Sequence, residues 1–476
     1  MDVGQRGERS MSRHRKPRPT GLKGRFHSYP TTTRHLILAV MVGVVAGLGA
    51  ILFYEALLLS THLFLHVLAG YDVPTPAGEG NSAGSAHYLR AWVIPLVVAL
   101  GGIISGFIVF TWAPEAEGHG TDAAISAIHH NPRGIRLRAV IVKIVASAVT
   151  IGSGGSGGRE GPTAQISAGF GSLLARVLDL SEEDARVAVS IGVGSGIGAI
   201  FSSPLGGAIL ASEIIYRDDF EPQALLPGFV ASAIAFVIFG SALGFEPIFS
   251  IPSIQVFDSP MQLVYFAVLG LIAGFIGVLY SKSFYGVIAV NRRLPFTRKL
   301  RPALGGLLVG LIALAAPEVL GTGYGWVQKA LSASAVDSIP LAVLLLLPFL
   351  RIIATSFSIG SGGSGGVFGP GMVIGAFTGA AVWRLGGLFL PSMPHSPASF
   401  VVVGMMAVFG AISRAPIAVM VMVIEMTGNL DALTPAILAV AIATYVVRSF
   451  DESIYEAQLH NRAEFLALRK GKGLAY

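Results

Sequence analysis

A carboxylate set between glycines in a strongly apolar chain is the first residue that asks for a chemical explanation. Glu160 stands in the run GSGGSGGREGP at 152–162. At membrane depth such a group is costly unless it faces water, a cation or an ion path. Charged, it would sit where an anion sits; protonated, it would leave. Those are the properties of a gate or a proton carrier. The plainer alternative is a structural pair with neighbouring Arg159.

The run occurs twice. Residues 360–370 read GSGGSGGVFGP and match the first copy at nine of eleven positions, differing only at Arg159-Glu160 against Val367-Phe368. Lys143 and Arg351, each inside an apolar stretch, stand seventeen residues before Glu160 and Phe368. Each copy predicts a helix, a glycine-rich break and a second helix with Pro162 or Pro370 in its first turn. One copy in each half predicts a duplicated membrane fold whose broken helices meet at a shared site.

Such breaks suit an anion. Helix N-termini at 118–121, 158–162 and 366–370 would offer free N–H groups and positive dipole ends, and glycine clears the approach. No full positive charge is needed, so binding stays weak enough for release. The candidate contacts are Gly118, His119, Gly120 and Thr121, then Gly158, Arg159 and Gly161, then Gly366 and Gly369. Lys143 and Arg351 either add a favourable longer-range field or serve structure by snorkelling or pairing.

Two tempting matches fail. Gly152-x-Gly154-x-x-Gly157 fits a dinucleotide fingerprint, but no strand precedes it and the Lys-Ser/Thr ending of a phosphate loop is missing. His119, His129 and His130 have no second ligand cluster, so no metal is expected.

The surrounding chain agrees with a membrane setting. Of 476 residues, 53% are apolar and only 13% charged, which excludes an ordinary soluble domain. Apolar windows at 36–59, 91–110 and 226–243 approach or exceed the roughly 20 residues of a spanning helix; 341–350 is shorter. Cysteine is absent, so disulfides and thiolate metal sites are excluded. The 60 glycines allow close helix contact and buried breaks. The net charge of +6 comes largely from the ends. Positive-inside topology explains the basic residues before position 35 better than nucleic-acid binding does, and the segment is too long for a cleaved signal peptide. The predicted organisation is a disordered basic cytoplasmic tail at 1–34, a membrane domain at 35–460 with halves near 35–220 and 221–460, and a short cytoplasmic tail at 461–476. Predicted helices include 34–66, a short one from the unwound turn at 118–121, 139–151, 185–200, one from Pro204 to near Arg217, 226–243 and 262–290.

Taken together, these residues resemble the CLC chloride channels and chloride/proton exchangers over about 35–460. Gly158-Arg159-Glu160-Gly161-Pro162 is similar to the family's GREGP, and Gly366-Val367-Phe368-Gly369-Pro370 to its GxFxP. Pro204-Leu205-Gly206-Gly207 with Glu213, and Tyr455 in Ser453-Ile454-Tyr455, match two further family features. The resemblance implies an all-α polytopic fold of two inverted halves, and a homodimer with one pore per subunit. It places the dimer interface on helices near 188–200, 204–215, 404–412 and 416–427. It also implies chloride held by backbone amides near Val367 and Phe368 and by the Tyr455 hydroxyl, with Glu160 as the gate.

Two departures stand out. His119 occupies the place of the family's GSGIP serine, so the inner contact would come from the imidazole, Thr121 or backbone, with pH-sensitive transport as one consequence. Ile214 follows Glu213 where many exchangers carry a second, proton-receiving glutamate, and Ile cannot carry a proton. The reading from sequence is therefore small-anion transport across the inner membrane without cofactor, metal or nucleic acid. Gated passive conduction is slightly favoured over chloride/proton antiport. An intramembrane enzyme is remote, because Glu160 has no acid–base partner in its motif.

Overall fold

The computed structural model describes residues 26, 28–85, 87–251, 259–390 and 392–471. The tail expected at 1–34 lies outside them up to residue 25. The described chain is helical throughout, with isolated bridges in place of strands. The first half comprises α1 (Thr31–Thr61, prolonged by a π-helical turn His62–Ala69), α2 (Val93–Trp112), α3 (Thr121–His130), α4 (Leu137–Gly152), α5 (Glu160–Val177), α6 (Glu182–Ile200), α7 (Pro204–Glu213) and α8 (Pro222–Leu243). The second comprises α9 (Met261–Arg293), α10 (Arg301–Ala315), α11 (Tyr324–Ala330), α12 (Ala333–Ser338), α13 (Leu341–Gly360), α14 (Phe368–Gly386), α15 (Ala398–Ile412), α16 (Pro416–Thr427) and α17 (Leu433–Ser449). A last helix, α18 (Arg462–Gly471), gives the expected tail a structure.

Five helices, α1, α2, α8, α9 and α13, are long and apolar enough to cross a membrane. They leave Leu52, Leu59, Leu96, Val264 and Leu346 exposed, as lipid contact requires. The helices nearest the centre are buried on every side. In α6 each residue from Asp184 to Ile200 is covered, because glycine lets backbones meet: a Cβ on Gly194 would strike the Gly207 carbonyl of α7.

The halves repeat one another in order and in contacts. Lys143, Ser147, Ser156 and Gly158 recur 208 residues later as Arg351, Thr355, Ser364 and Gly366. The Ser147 hydroxyl lies 2.9 Å from that of Ser364, and the Ser156 hydroxyl 2.8 Å from that of Thr355. Ser147 thus bonds the repeat equivalent of Ser156, and Ser156 that of Ser147, which is the signature of an approximate two-fold axis. The same exchange recurs at α7 and α16. Glu213 accepts from the N–H groups of Ile417 (3.2 Å) and Ala418 (2.7 Å). Glu425 accepts from those of Leu205 (3.1 Å) and Gly206 (2.8 Å) and from the Ser203 hydroxyl (2.5 Å). Each carboxylate supplies the acceptor that the other helix's free N-terminal donors need.

Helix α7 ends at Glu213 rather than near Arg217. The backbone turns there so that Tyr216 bridges Leu459 and Arg217 donates to its carbonyl at 2.8 Å. Both described ends reach the start of α6: Arg34 pairs with Asp184 at 3.4 Å and Arg469 with Glu182 at 2.8 Å. The two ends therefore share one face.

Candidate functional site

The two glycine breaks meet at the centre. Gly158 and Gly366 exchange backbone hydrogen bonds, the Gly158 N–H to the Gly366 carbonyl at 2.8 Å and the reverse at 2.6 Å. Gly118 donates to the Gly363 carbonyl (3.0 Å) and accepts from Gly365 (3.2 Å). Its counterpart Gly321 donates to Gly154 (3.2 Å) and accepts from Gly157 (3.4 Å). A Cβ on Gly366 would lie 2.8 Å from both the Gly158 carbonyl oxygen and the Gly161 nitrogen, so close crossing requires glycine there. Non-helical backbone is thus paired inside the protein, the condition for having it at membrane depth.

Glu160 is fully enclosed at the first turn of α5. Its Oε2 accepts from the Gly369 N–H at 3.0 Å, and its Oε1 accepts from the Tyr324 hydroxyl. The carboxylate therefore rests on the N-terminus of α14, where free N–H groups and the dipole favour negative charge. It is not paired with Arg159. That side chain turns to Glu79 at 2.5 Å and lies over the rings of Tyr54 and Tyr324, at 5.3 and 5.0 Å from their centroids. Of the anion contacts expected near Glu160, Arg159 has its side chain committed elsewhere.

The opposite end is built from α3 and the segment after α17. Tyr455 is buried, and its hydroxyl makes no hydrogen bond of ordinary geometry among the described residues, with Thr121 beside it. The His119 ring lies 5.6 Å from that of Tyr455 and 5.9 Å from that of Phe284. Its Nδ1 is also buried without a hydrogen-bond partner among the described residues. Two unpaired polar atoms so enclosed leave hydrogen-bonding capacity for a guest. A neutral imidazole N–H can donate to an anion, so the contact needs no charge on the ring. His119, Gly118 and Gly120 border a cavity of about 710 Å³ that reaches Arg292, Arg298 and Arg301. Tyr455 is held by its neighbours: the Ile454 N–H donates to the Ile412 carbonyl (2.9 Å), and the Tyr285 hydroxyl to the Ile454 carbonyl (2.8 Å). Between the ends, Val367 and Phe368 are buried at the start of α14, and the Tyr280 hydroxyl donates to the Val367 carbonyl at 3.1 Å.

Lys143 and Arg351 do not snorkel, and neither pairs with a carboxylate among the described residues. Both are fully buried. The Lys143 Nζ donates to the carbonyls of Ala116 (3.1 Å) and Gly118 (2.7 Å). The Arg351 guanidinium donates to those of Glu318 (3.2 Å), Gly321 (2.7 Å) and Thr322 (2.6 Å). Each cation braces the unwound turn that leads into α3 or α11, and its charge stays inside. Ile214 is fully buried, and the adjacent Glu213 is occupied as the cap of α16.

Tyr324 and Glu79 did not emerge from the sequence reading. A signal for Tyr324 was present: PEAEGHGT at 114–121 and PEVLGTGY at 317–324 share Pro, Glu and both glycines. That second repeat pairs Tyr324 with Thr121. Glu79 sits in a polar loop with nothing in its sequence to tie it to Arg159.

The voltage gated chloride channel family model matches residues 101–448. A ClcB-like chloride channel protein of Ralstonia nicotianae is 32% identical, covering 86% of this chain and 92% of that one. The H(+)/Cl(-) exchange transporter ClcA of Vibrio vulnificus is 28% identical over 85% of this chain and 84% of its own. Among solved structures, a slow cyanobacterial Cl⁻/H⁺ antiporter superposes with a TM-score of 0.77 at 22% identity, covering 94% and 99% of the two chains. A CLC-type fluoride/proton antiporter gives 0.73 at 23%, covering 91% and 99%. The chain is an all-α polytopic membrane protein of the CLC fold. It belongs to the CLC family of chloride channels and transporters.

Proposed function

We propose that this protein exchanges chloride for protons across the membrane, with Glu160 as the gate that both ions share. The observation that carries the reading is the seat of the Glu160 carboxylate on the Gly369 N–H at the α14 N-terminus. A charged carboxylate and an anion compete for such a seat, and a protonated one has little claim on it. Proton uptake and anion entry then become alternative occupations of one site. Chloride would pass between the amides near Val367 and Phe368 and the contacts at His119, Thr121 and Tyr455. The sequence alone leaned towards a passive channel; the relatives named as exchangers and antiporters tilt the balance the other way.

One observation supports passive conduction as the second reading. Ile214 cannot relay a proton and Glu213 is engaged as a cap, so a coupled proton needs another inward route. As part of the same proposal, the protein acts as a homodimer in the inner membrane with both ends cytoplasmic, without cofactor, enzymatic activity or nucleic acid. The residues at 1–34 and 461–476 would flank a membrane domain at 35–460.

The deciding experiment uses chloride-loaded liposomes holding purified protein, with chloride efflux and internal pH followed together. Uphill proton movement driven by a chloride gradient, lost in Glu160→Gln, is the expected result. Chloride flux without coupled protons would select the passive reading. No flux of chloride or another small anion would overturn both.

A further inference from the structure

The gate has a second grip. Two hydrogen-bond donors hold the Glu160 carboxylate: a backbone N–H of Gly369 on Oε2 and the phenol of Tyr324 on Oε1. Tyr324 is the only side chain among the described residues that hydrogen-bonds this carboxylate. Its ring is fixed from several sides. It is buried, packs against Phe201 at 6.4 Å and edge-on to Phe249 at 6.0 Å, and lies under the Arg159 guanidinium at 5.0 Å. Arg159 is itself anchored by Glu79. A cation over the ring face is held by the ring's quadrupole, and its field makes the phenol a stronger donor. Thr121, the counterpart of Tyr324 in the first half, neighbours Tyr455 instead.

We propose that Tyr324 is the latch of the gate: its hydroxyl holds the Glu160 carboxylate on α14 and sets how readily the gate lets go. The proposal rests on Glu160 being the gate. Tyr324 is a positioning residue, because it acts on the anion only through Glu160. The other charged or titratable groups around the carboxylate are Arg159 with its partner Glu79, Arg351, Tyr280 and Tyr455. None of these replaces the Tyr324 bond. Losing the hydroxyl leaves Oε1 without that donor in a fully enclosed site, and a hydrogen bond to a charged group is not recovered from water there. The closed state weakens, so the gate releases at lower proton concentration. The expected change is about tenfold in anion turnover at neutral external pH, or a rise of about one unit in the external pH at half-maximal flux.

The experiment compares wild type, Tyr324→Phe, Glu160→Gln and the double variant in proteoliposomes, reading chloride efflux across external pH together with proton coupling. Phe keeps the ring packing, and a melting curve of each purified protein reports on the fold. Tyr324→Leu, which also lacks the hydroxyl, supplies a second test of the same direction. The expected result is faster efflux and an alkaline-shifted profile in Tyr324→Phe, with no further change when the substitution is added to Glu160→Gln. A wild-type profile in both Tyr324 variants overturns the latch and leaves the gate reading intact. An equal effect with and without the Glu160 substitution overturns it too, because Tyr324 would then act elsewhere. If Glu160→Gln itself leaves the pH profile unchanged, the gate reading fails and the latch fails with it.

Discussion

Arg351→Met removes a buried cation that braces the turn before α11. The guanidinium makes three bonds to backbone carbonyls at 2.6, 2.7 and 3.2 Å in a site without solvent exposure. Hydrogen bonds inside membrane proteins average about 0.6 kcal/mol, while those in soluble proteins net about 1 kcal/mol and more when charged. Three of them therefore contribute roughly 2–5 kcal/mol, less whatever an isosteric apolar chain recovers by packing. Lys143→Met removes two such bonds, so about two-thirds of the loss follows. Arg351→Lys keeps the charge but cannot span all three carbonyls and should fall between wild type and Arg351→Met. The assay is thermal unfolding of detergent-purified protein, followed by chloride flux of whatever reconstitutes. The expected order of melting temperature is wild type, then Arg351→Lys and Lys143→Met, then Arg351→Met. Were the two cations present for their field alone, Arg351→Lys would match wild type and Arg351→Met would lose flux with little loss of stability. A wild-type melting curve for Arg351→Met would refute the bracing argument.

Four further substitutions test other parts of the structure. A Cβ at Gly369 would come within 2.8 and 3.0 Å of the two Glu160 oxygens, so Gly369→Ala should dislodge the carboxylate. The expected outcome is efflux that no longer varies with external pH, measured in liposomes; retention of the wild-type profile would mean that the carboxylate is seated elsewhere. Glu425→Gln and Glu213→Gln each weaken one of the exchanged caps between α7 and α16, at about 1 kcal/mol apiece. Both should lower the melting temperature by similar amounts while chloride/proton coupling survives; loss of coupling in Glu213→Gln alone would reassign that residue to the proton route. His119→Phe keeps a ring beside Tyr455 but removes the imidazole nitrogens and with them the N–H donor. Chloride affinity should fall about tenfold in a binding titration, and an unchanged affinity would leave the inner contact to Thr121, Tyr455 and backbone.

How much of this was legible beforehand divides along one physical line. The doubled glycine run carried the architecture, because a helix–break–helix written twice at one spacing leaves few ways to satisfy buried backbone. The Gly158–Gly366 exchange is the geometric form of that repetition. Glu160 was legible as well, since a lone carboxylate between glycines in apolar surroundings demands a partner. The identity of that partner was not. Arg159 is adjacent in sequence, but consecutive residues at a helix start diverge, and its long side chain leaves towards Glu79, eighty residues earlier. Tyr324 reaches the same carboxylate from 164 residues away. Contacts of that span depend on how the halves dock, and a one-dimensional pattern records docking only where the duplication itself reveals it. Lys143 and Arg351 show the same limit. Their equal offset was visible, but the carbonyls they brace belong to turns whose shape exists only after both halves have met. The grip on Glu160 and the buried pair of rings at His119 and Tyr455 both lie on the seam between halves. Sequence repetition identifies the seam, while the chemistry on it is set by the residues where the two copies differ: glutamate against phenylalanine, threonine against tyrosine, lysine against arginine.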